Sequence, residues 1–205
     1  MNRRNPARNQ ERILKAATGE FARFGLGGAR VDRIAARAGA NKRMLYYYYG
    51  NKEDLFLAVL ESRYAHIRRA ELGLRLGALD PAEGIRRLIA FTWQYYLKHP
   101  EFLTLLNSEN LHRGRHIRRS PQIAAMHSPL IAILRDLLER GAREGKFRRG
   151  VDPVQLYISI AGLGYFYLGN RHTLSTIFAR DLLAARSKAE RLKHMTELVL
   201  GYLSK

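Results

Sequence analysis

Between Gly39 and Gly50 lie ten residues, Ala40-Asn41-Lys42-Arg43-Met44-Leu45-Tyr46-Tyr47-Tyr48-Tyr49, four of them consecutive tyrosines. The glycines break helices and Asn41 is a good N-cap, so the segment reads as an eight-residue helix, Lys42–Tyr49. A helix that short has one face to bury. Leu45 and Tyr49, four apart, take that face. Tyr46, Tyr47 and Tyr48 then share the surface with Lys42, Arg43 and Met44, where so many large aromatic side chains need a reason to be. The segment therefore demands both a scaffold to hold the helix and a partner to cover it.

The scaffold is legible upstream. Ile13, Ala17, Phe21 and Phe24 recur at helical spacing, predicting a helix over about Arg8–Phe24 that ends at Gly25, Gly27 and Gly28. A second short helix, Val31–Ala38, buries Ile34, Ala35 and Ala38, and Gly39 turns the chain. Two short helices joined by a glycine-containing turn, behind a longer support, form a helix-turn-helix. Asn51 then caps a long fourth helix with Leu55, Phe56, Val59 and Leu60 as its apolar stripe.

The partner is suggested by charge. Lys and Arg number 36 against 18 Asp and Glu, a net charge of +18, and the residues through Tyr49 hold 11 basic side chains and 3 acidic. Such a field attracts polyanions. Tyrosine suits DNA, because its ring packs on sugar or a thymine methyl and its hydroxyl reaches a phosphate or base edge. Lys42 and Arg43 stand at the helix end expected to enter the major groove. Lys52 lies beside the free N–H groups of the fourth helix, a place that favours phosphate. Arg30 and Arg33 bracket the second helix, and Arg3, Arg4 and Arg8 are expected to form an unstructured basic arm for a neighbouring groove.

At these residues the chain resembles the TetR family of regulators. Arg30 to Lys42 is similar to the family's second helix and turn, and Met44 to Phe56 to the rest of its signature, the likeness covering about residues 8–60. The resemblance implies operator contacts from Lys42, Arg43, Met44, Tyr46, Tyr48 and Lys52, with Tyr47 assisting. Three positions depart from the pattern: Arg30 where a hydroxyl is common, Asn41 where serine is, and Tyr49 where phenylalanine is. The resemblance also implies a helical domain for ligand binding and dimerisation behind the DNA-binding part.

The remaining chain reads as helices with strong caps. Asp80-Pro81 and Asp152-Pro153 each put a capping residue before a proline at the first helical position. Ser187 and Glu190 read as a capping box for the last helix. No segment sustains period-two alternation and no internal repeat appears. The expected fold is all-α, about nine helices, with a helix-turn-helix domain at residues 1–53 and a ligand-binding and dimerisation bundle at 54–205.

The helix from Val154 to Tyr167 is apolar nearly all round, which marks burial on more than one side. With the last helix it suits a two-fold four-helix dimer interface, expected at Ile158, Ala161, Gly162, Tyr165, Met195, Val199 and Tyr202. An apolar effector pocket is expected among Trp93, Tyr96, Phe102, Leu106, Met126 and Tyr165, with Asn107, Glu109 and Asn110 as polar groups. The effector's identity is not written in the sequence.

Other classes are disfavoured by specific absences. Cysteine is absent, which removes disulfides and thiolate chemistry and suits a reducing cytoplasm. No apolar run is long enough to span a bilayer, and no membrane partner is expected. Catalytic motifs for acyl or phosphoryl transfer and the His-Glu-x-x-His zinc motif are missing, so neither an enzyme nor a cofactor is expected. Glu109, His112 and His116 have metal-compatible spacing, but Gly114 and four neighbouring arginines oppose a cation, and a solvated loop is expected there. The alternatives are a non-specific DNA coater, which charge alone would support, and an enzyme on a helical scaffold.

Overall fold

A computed structural model describes residues 6–204. Among them the protein is all-α: α1 Pro6–Gly28, α2 Val31–Ala38, α3 Lys42–Tyr49, α4 Lys52–Leu72, α5 Pro81–Lys98, α6 Pro100–Leu111, α7 Pro121–Arg143, α8 Pro153–Gly169, α9 Arg171–Ile177 and α10 Ala185–Leu203. Short 3-10 turns lie at Leu76–Ala78 and Ile117–Arg119. No described helix is long and apolar enough to cross a membrane.

The helices gather into two compact units. The first runs to His66 and includes Pro100–Ala125; the second holds Ile67–His99 and the chain from Met126 onward. In the first unit α1 packs on α2 and on α6. Ile13, Ala17, Phe21, Ile34, Leu45, Phe56 and Leu105 fill its core, and the Phe21 and Phe56 rings meet edge to face at 5.1 Å. Burial of each isoleucine, leucine or phenylalanine among them stabilises by roughly 1.5–3 kcal/mol. The glycines predicted to end α1 bend it: Gly25 has a left-handed φ of 63°, and a further turn carries the helix to Gly28. Phe24 falls beyond that apolar face. Its ring is partly exposed and lies between the guanidiniums of Arg23 and Arg33, at 5.1 and 4.4 Å.

In the second unit α5, α8 and α10 pack together, and Trp93, Leu88, Ile160, Met195 and Val199 are buried. Two of the predicted caps are present. Asp80 Oδ1 accepts from the Ala82 and Glu83 N–H groups, and Asp152 Oδ1 from those of Val154 and Gln155. The Ser187–Glu190 capping box is absent. α10 starts three residues earlier than that box would place it, after Ala184, with no side-chain cap. Ser187 Oγ instead donates to the Asp181 carbonyl at 2.7 Å, and Glu190 pairs with Arg180 and Arg186. Partners brought by the preceding loop outcompete the local motif. α9 is a helix the sequence reading did not anticipate.

Candidate nucleic-acid interface

The turn between α2 and α3 depends on Gly39. Its φ of 56° and ψ of 39° are left-handed, and its N–H donates to Ala36 O while Ala40 N–H donates to Ala35 O, closing α2. A Cβ at this position would also run into the Arg12 guanidinium. Asn41 then starts α3, its Oδ1 accepting the Met44 N–H at 2.9 Å.

The tyrosine run divides by helical phase. Tyr46 is 48% exposed and Tyr47 83%. Tyr48 and Tyr49, three and four residues after buried Leu45, lie on its side of the helix and pack partly against the core. The Tyr49 hydroxyl donates to Gln10 O at 3.3 Å, and burial pushes its phenol pKa up. Only Tyr49 was expected on the core side, so the placement of Tyr48 corrects the sequence reading. The outward face of α3 is therefore made of Lys42, Arg43, Tyr46 and Tyr47, with Met44 half-buried beside them. Lys42 forms an ion pair with Asp32 of α2.

Between α1 and α2 sits a residue the sequence reading passed over. Glu20 of α1 is fully buried. Its Oε1 accepts the Arg30 N–H at 3.1 Å and Arg33 Nε at 2.6 Å, and its Oε2 lies 3.3 Å from Arg37. Burial works against the charge, but these three partners outweigh it and hold the carboxyl below its usual range. Arg33 also donates to Gly28 O. Its side chain thus ties α2 to α1 and is less available to phosphate than expected. The signal was present: Glu20 is an acidic residue three after Ala17 and seven after Ile13, on a face otherwise apolar.

The start of α4 is likewise internally engaged. Asn51 Oδ1 accepts the Asp54 N–H at 2.8 Å, and Lys52 Nζ donates to Ala29 O at 3.3 Å. Glu53 and Asp54 pair with Arg115 and Arg119. The segment around His116 is not the solvated loop expected. His116 and Glu109 are buried, with Glu109 Oε1 accepting the N–H groups of His116 and Ile117 at 2.8 and 3.0 Å and Oε2 lying 2.6 Å from His116 Nδ1. No group of three potential metal ligands occurs among the described residues. Arg30 is exposed, Arg8 lies within α1, and Arg3 and Arg4 fall outside the described residues.

Two stretches of the chain match known families. Residues 13–59 match the bacterial regulatory proteins of the tetR family, and residues 81–199 match the tetracyclin repressor-like C-terminal domain. The chain belongs to the TetR family. This TetR-family protein is a transcriptional regulator with a DNA-binding helix-turn-helix. It is 44% identical over 193 residues to the HTH-type transcriptional repressor NicS of Pseudomonas putida, covering 94% of this chain and 91% of that one. It is 38% identical over 142 residues to the HTH-type transcriptional repressor SCO4008 of Streptomyces coelicolor, covering 69% and 70%. Among solved structures, SCO4942 from Streptomyces coelicolor superposes with a TM-score of 0.72 at 26% identity, over 95% of this chain and 98% of that one. The fatty acid degradation regulator FadR from Bacillus halodurans has a TM-score of 0.73 at 20% identity, a likeness of fold.

The other expected site residues are dispersed. Trp93, Tyr96, Met126 and Tyr165 belong to the second unit, whereas Phe102, Leu106 and Asn110 belong to the first. Trp93 packs edge-on against Tyr167 at 5.6 Å. Asn110 is exposed and donates to Leu106 O, while Glu109 is committed to the His116 segment. Of the expected interface residues, Ile158 and Tyr202 are exposed, Gly162 is open, and Ala161 and Tyr165 are half-buried. Met195 and Val199 are buried inside the chain itself, while Leu198 and Tyr202, each three residues further along α10, are exposed beside them.

Proposed function

We propose that the protein is a repressor that binds a near-palindromic operator as a homodimer and is released from it by a small-molecule effector, acting in the cytoplasm. The observation that carries this reading is the outward face of α3: Lys42, Arg43, Tyr46 and Tyr47 stand exposed on a helix whose seating is set by Gly39, Asn41 and the buried Glu20 clamp. Arg30, Met44, Tyr48 and Lys52 border that face. A dimer places two such helices in successive major grooves roughly 34–36 Å apart. Residues 1–53 carry DNA binding, and residues 54–205 carry effector binding and dimerisation. Repression is supported by the names of the two relatives above.

Dimerisation is supported by α8 and α10. Val154, Ile158, Gly162 and Phe166 recur every four residues along α8, and Leu198 and Tyr202 stand four apart on α10, all exposed. A contiguous apolar stripe of this kind on a water-soluble helix pair marks an interface between copies. The interface so drawn keeps Ile158, Ala161, Gly162, Tyr165 and Tyr202 and places Met195 and Val199 behind it. The effector binds within the second unit beside Trp93, Tyr96, Met126 and Tyr165, and favours a dimer whose recognition helices are wrongly spaced for DNA.

Selection of bound sequences from a random duplex library at near-physiological salt tests the reading. Recovery of a palindrome with half-sites one helical turn apart supports it. Binding without sequence enrichment would instead make the protein a non-specific coater driven by charge.

A further inference from the structure

The second unit contains a buried charged cluster that DNA binding leaves unused. Arg68 and Glu71, near the C-terminal end of α4, are 4% and 2% exposed. Arg68 Nη2 donates to the Tyr157 hydroxyl oxygen at 2.8 Å, and its guanidinium lies 5.3 Å from the centre of the Tyr157 ring on α8. The His127 ring of α7 stands edge to face with Tyr157 at 6.4 Å. Three helices thus bring a cation, an acid, a phenol and an imidazole together.

The ion pair at its centre is incomplete. Arg68 Nη1 comes within 2.8 Å of Glu71 Oε2, but at an angle that makes no hydrogen bond. Nη1, Nε and Glu71 Oε2 are all buried without hydrogen-bond partners. A structural Arg–Glu pair withdrawn from water normally recovers its lost hydration by a parallel, two-bond fork. Here Nε has no acceptor and Nη1 meets Glu71 Oε2 only as a misaligned ion pair, so the cluster recovers only part of the cost of burial.

We propose that Arg68, Tyr157 and Glu71 are the polar end of the effector site and that the effector is a small organic carboxylate, one of its oxygens accepting from Arg68 Nε. The inference rests on the reading of the protein as ligand-responsive and names the class of ligand. The charge balance fits only one protonation state. With Glu71 ionised the cluster is neutral, and an incoming carboxylate would add an unpaired negative charge to a dry site. With Glu71 protonated the cluster is a single cation that the carboxylate neutralises, and the Glu71 hydroxyl gains an acceptor. Burial pushes the Glu71 pKa up to about 7 although Arg68 pulls it down, so the protonated form is populated near neutrality. The groups facing Glu71 and Arg68 are Tyr157 from α8, whose pKa burial also raises, and, through Tyr157, His127 from α7. Carboxylate binding therefore takes up a proton at Glu71.

The test is calorimetry on the full chain with benzoate, cyclohexanecarboxylate and the neutral isostere benzamide, at pH 6 and pH 8, beside a measurement of operator release. The expected result is binding of at least one carboxylate that weakens about tenfold from pH 6 to pH 8, with benzamide at least about tenfold weaker. Glu71→Gln should keep carboxylate binding and lose the pH dependence. Arg68→Gln should lose the preference for carboxylate over amide, and Arg68→Lys, which keeps the charge but not the Nε–H donor, should bind more weakly than the wild type. Equal binding of acid and amide, no binding by either acid, or unchanged binding in both Arg68 variants would overturn the inference. Carboxylate binding at Arg68 without operator release would keep the site and refute the ligand-responsive reading. Release by a neutral compound regardless of Arg68 would do the reverse.

Discussion

The Glu20 carboxylate of α1 and the Arg33 guanidinium of α2 meet at 2.6 Å where α2 packs on α1, with the acid fully buried and the arginine partly exposed. The same carboxylate holds the Arg30 N–H at the start of α2 and faces Arg37 at its end, so one side chain spans the length of that helix. Since α2 and α3 are joined by only three residues, Gly39 to Asn41, the seating of α3 depends on Glu20.

Removing the carboxylate should loosen the DNA-binding unit. Glu20→Ala is expected to cost about 1–3 kcal/mol in urea unfolding, because it leaves a part-buried backbone N–H without its acceptor and unpairs two arginines. Binding to all duplexes should weaken together, since the substitution misplaces α3 without touching what it reads. The sign of the pH effect follows from the depressed carboxyl. The Glu20 contribution is present above the unfolded-state value, near 4.5, and is lost as pH falls through the lower folded-state value. The stability gap between wild type and Glu20→Gln should therefore close on acidification. A gap that widened at low pH would contradict this assignment.

Glu71 has the opposite sign. Its folded-state pKa is raised from 4.5 to about 7, so the native chain holds a proton there that the unfolded chain releases. Its burial is cost-free below about pH 4.5 and destabilises progressively as pH rises to about 7. Glu71→Gln should be more stable than wild type at pH 8, by on the order of 1–3 kcal/mol, and the two should converge toward pH 5. Thermal unfolding of both proteins across that range checks it. Equal stability at every pH would show that Glu71 titrates normally.

Buried Met195 of α10 and exposed Ile158 of α8 should separate stability from assembly. Met195 has 0% exposure, and Met195→Ala should cost about 2–5 kcal/mol of unfolding free energy through the cavity it leaves. Ile158, 53% exposed on α8, contributes little to the chain's own core. Ile158→Glu should abolish the proposed dimer in sedimentation while leaving the unfolding of the isolated chain within about 0.5 kcal/mol. An Ile158→Glu protein that stayed dimeric would move the interface elsewhere.

What the sequence disclosed was mostly what is decided locally. Asn41, Asp80 and Asp152 cap helices through bonds two or three residues away, so composition and spacing suffice to find them. The Ser187–Glu190 box has the same local pattern, yet Asp181 and Arg180 claim its two members from the preceding loop. Tyr48 was misplaced because only Tyr49 was set on the Leu45 face, when helical phase puts both there. The packing of α6 on α1 and the burial of His116 against Phe56, their rings 5.2 Å apart, join segments far apart in sequence and leave no periodic trace. The polar clusters around Glu20, Glu71 and Glu109 escaped for a related reason. An isolated acid in a helix looks solvated until its partners arrive from other elements.

The central claim is that the outward face of α3 reads DNA sequence. It is tested most directly by the affinity of Tyr46→Ala for the selected operator and for a scrambled duplex of equal length, measured across salt concentrations. The side chain is half exposed, so the fold should be unchanged. Operator binding is expected to weaken by about 1–3 kcal/mol while scrambled-duplex binding and the salt slope stay as in the wild type. An unchanged preference for the operator, or equal loss on both duplexes, would contradict the docking of this helix.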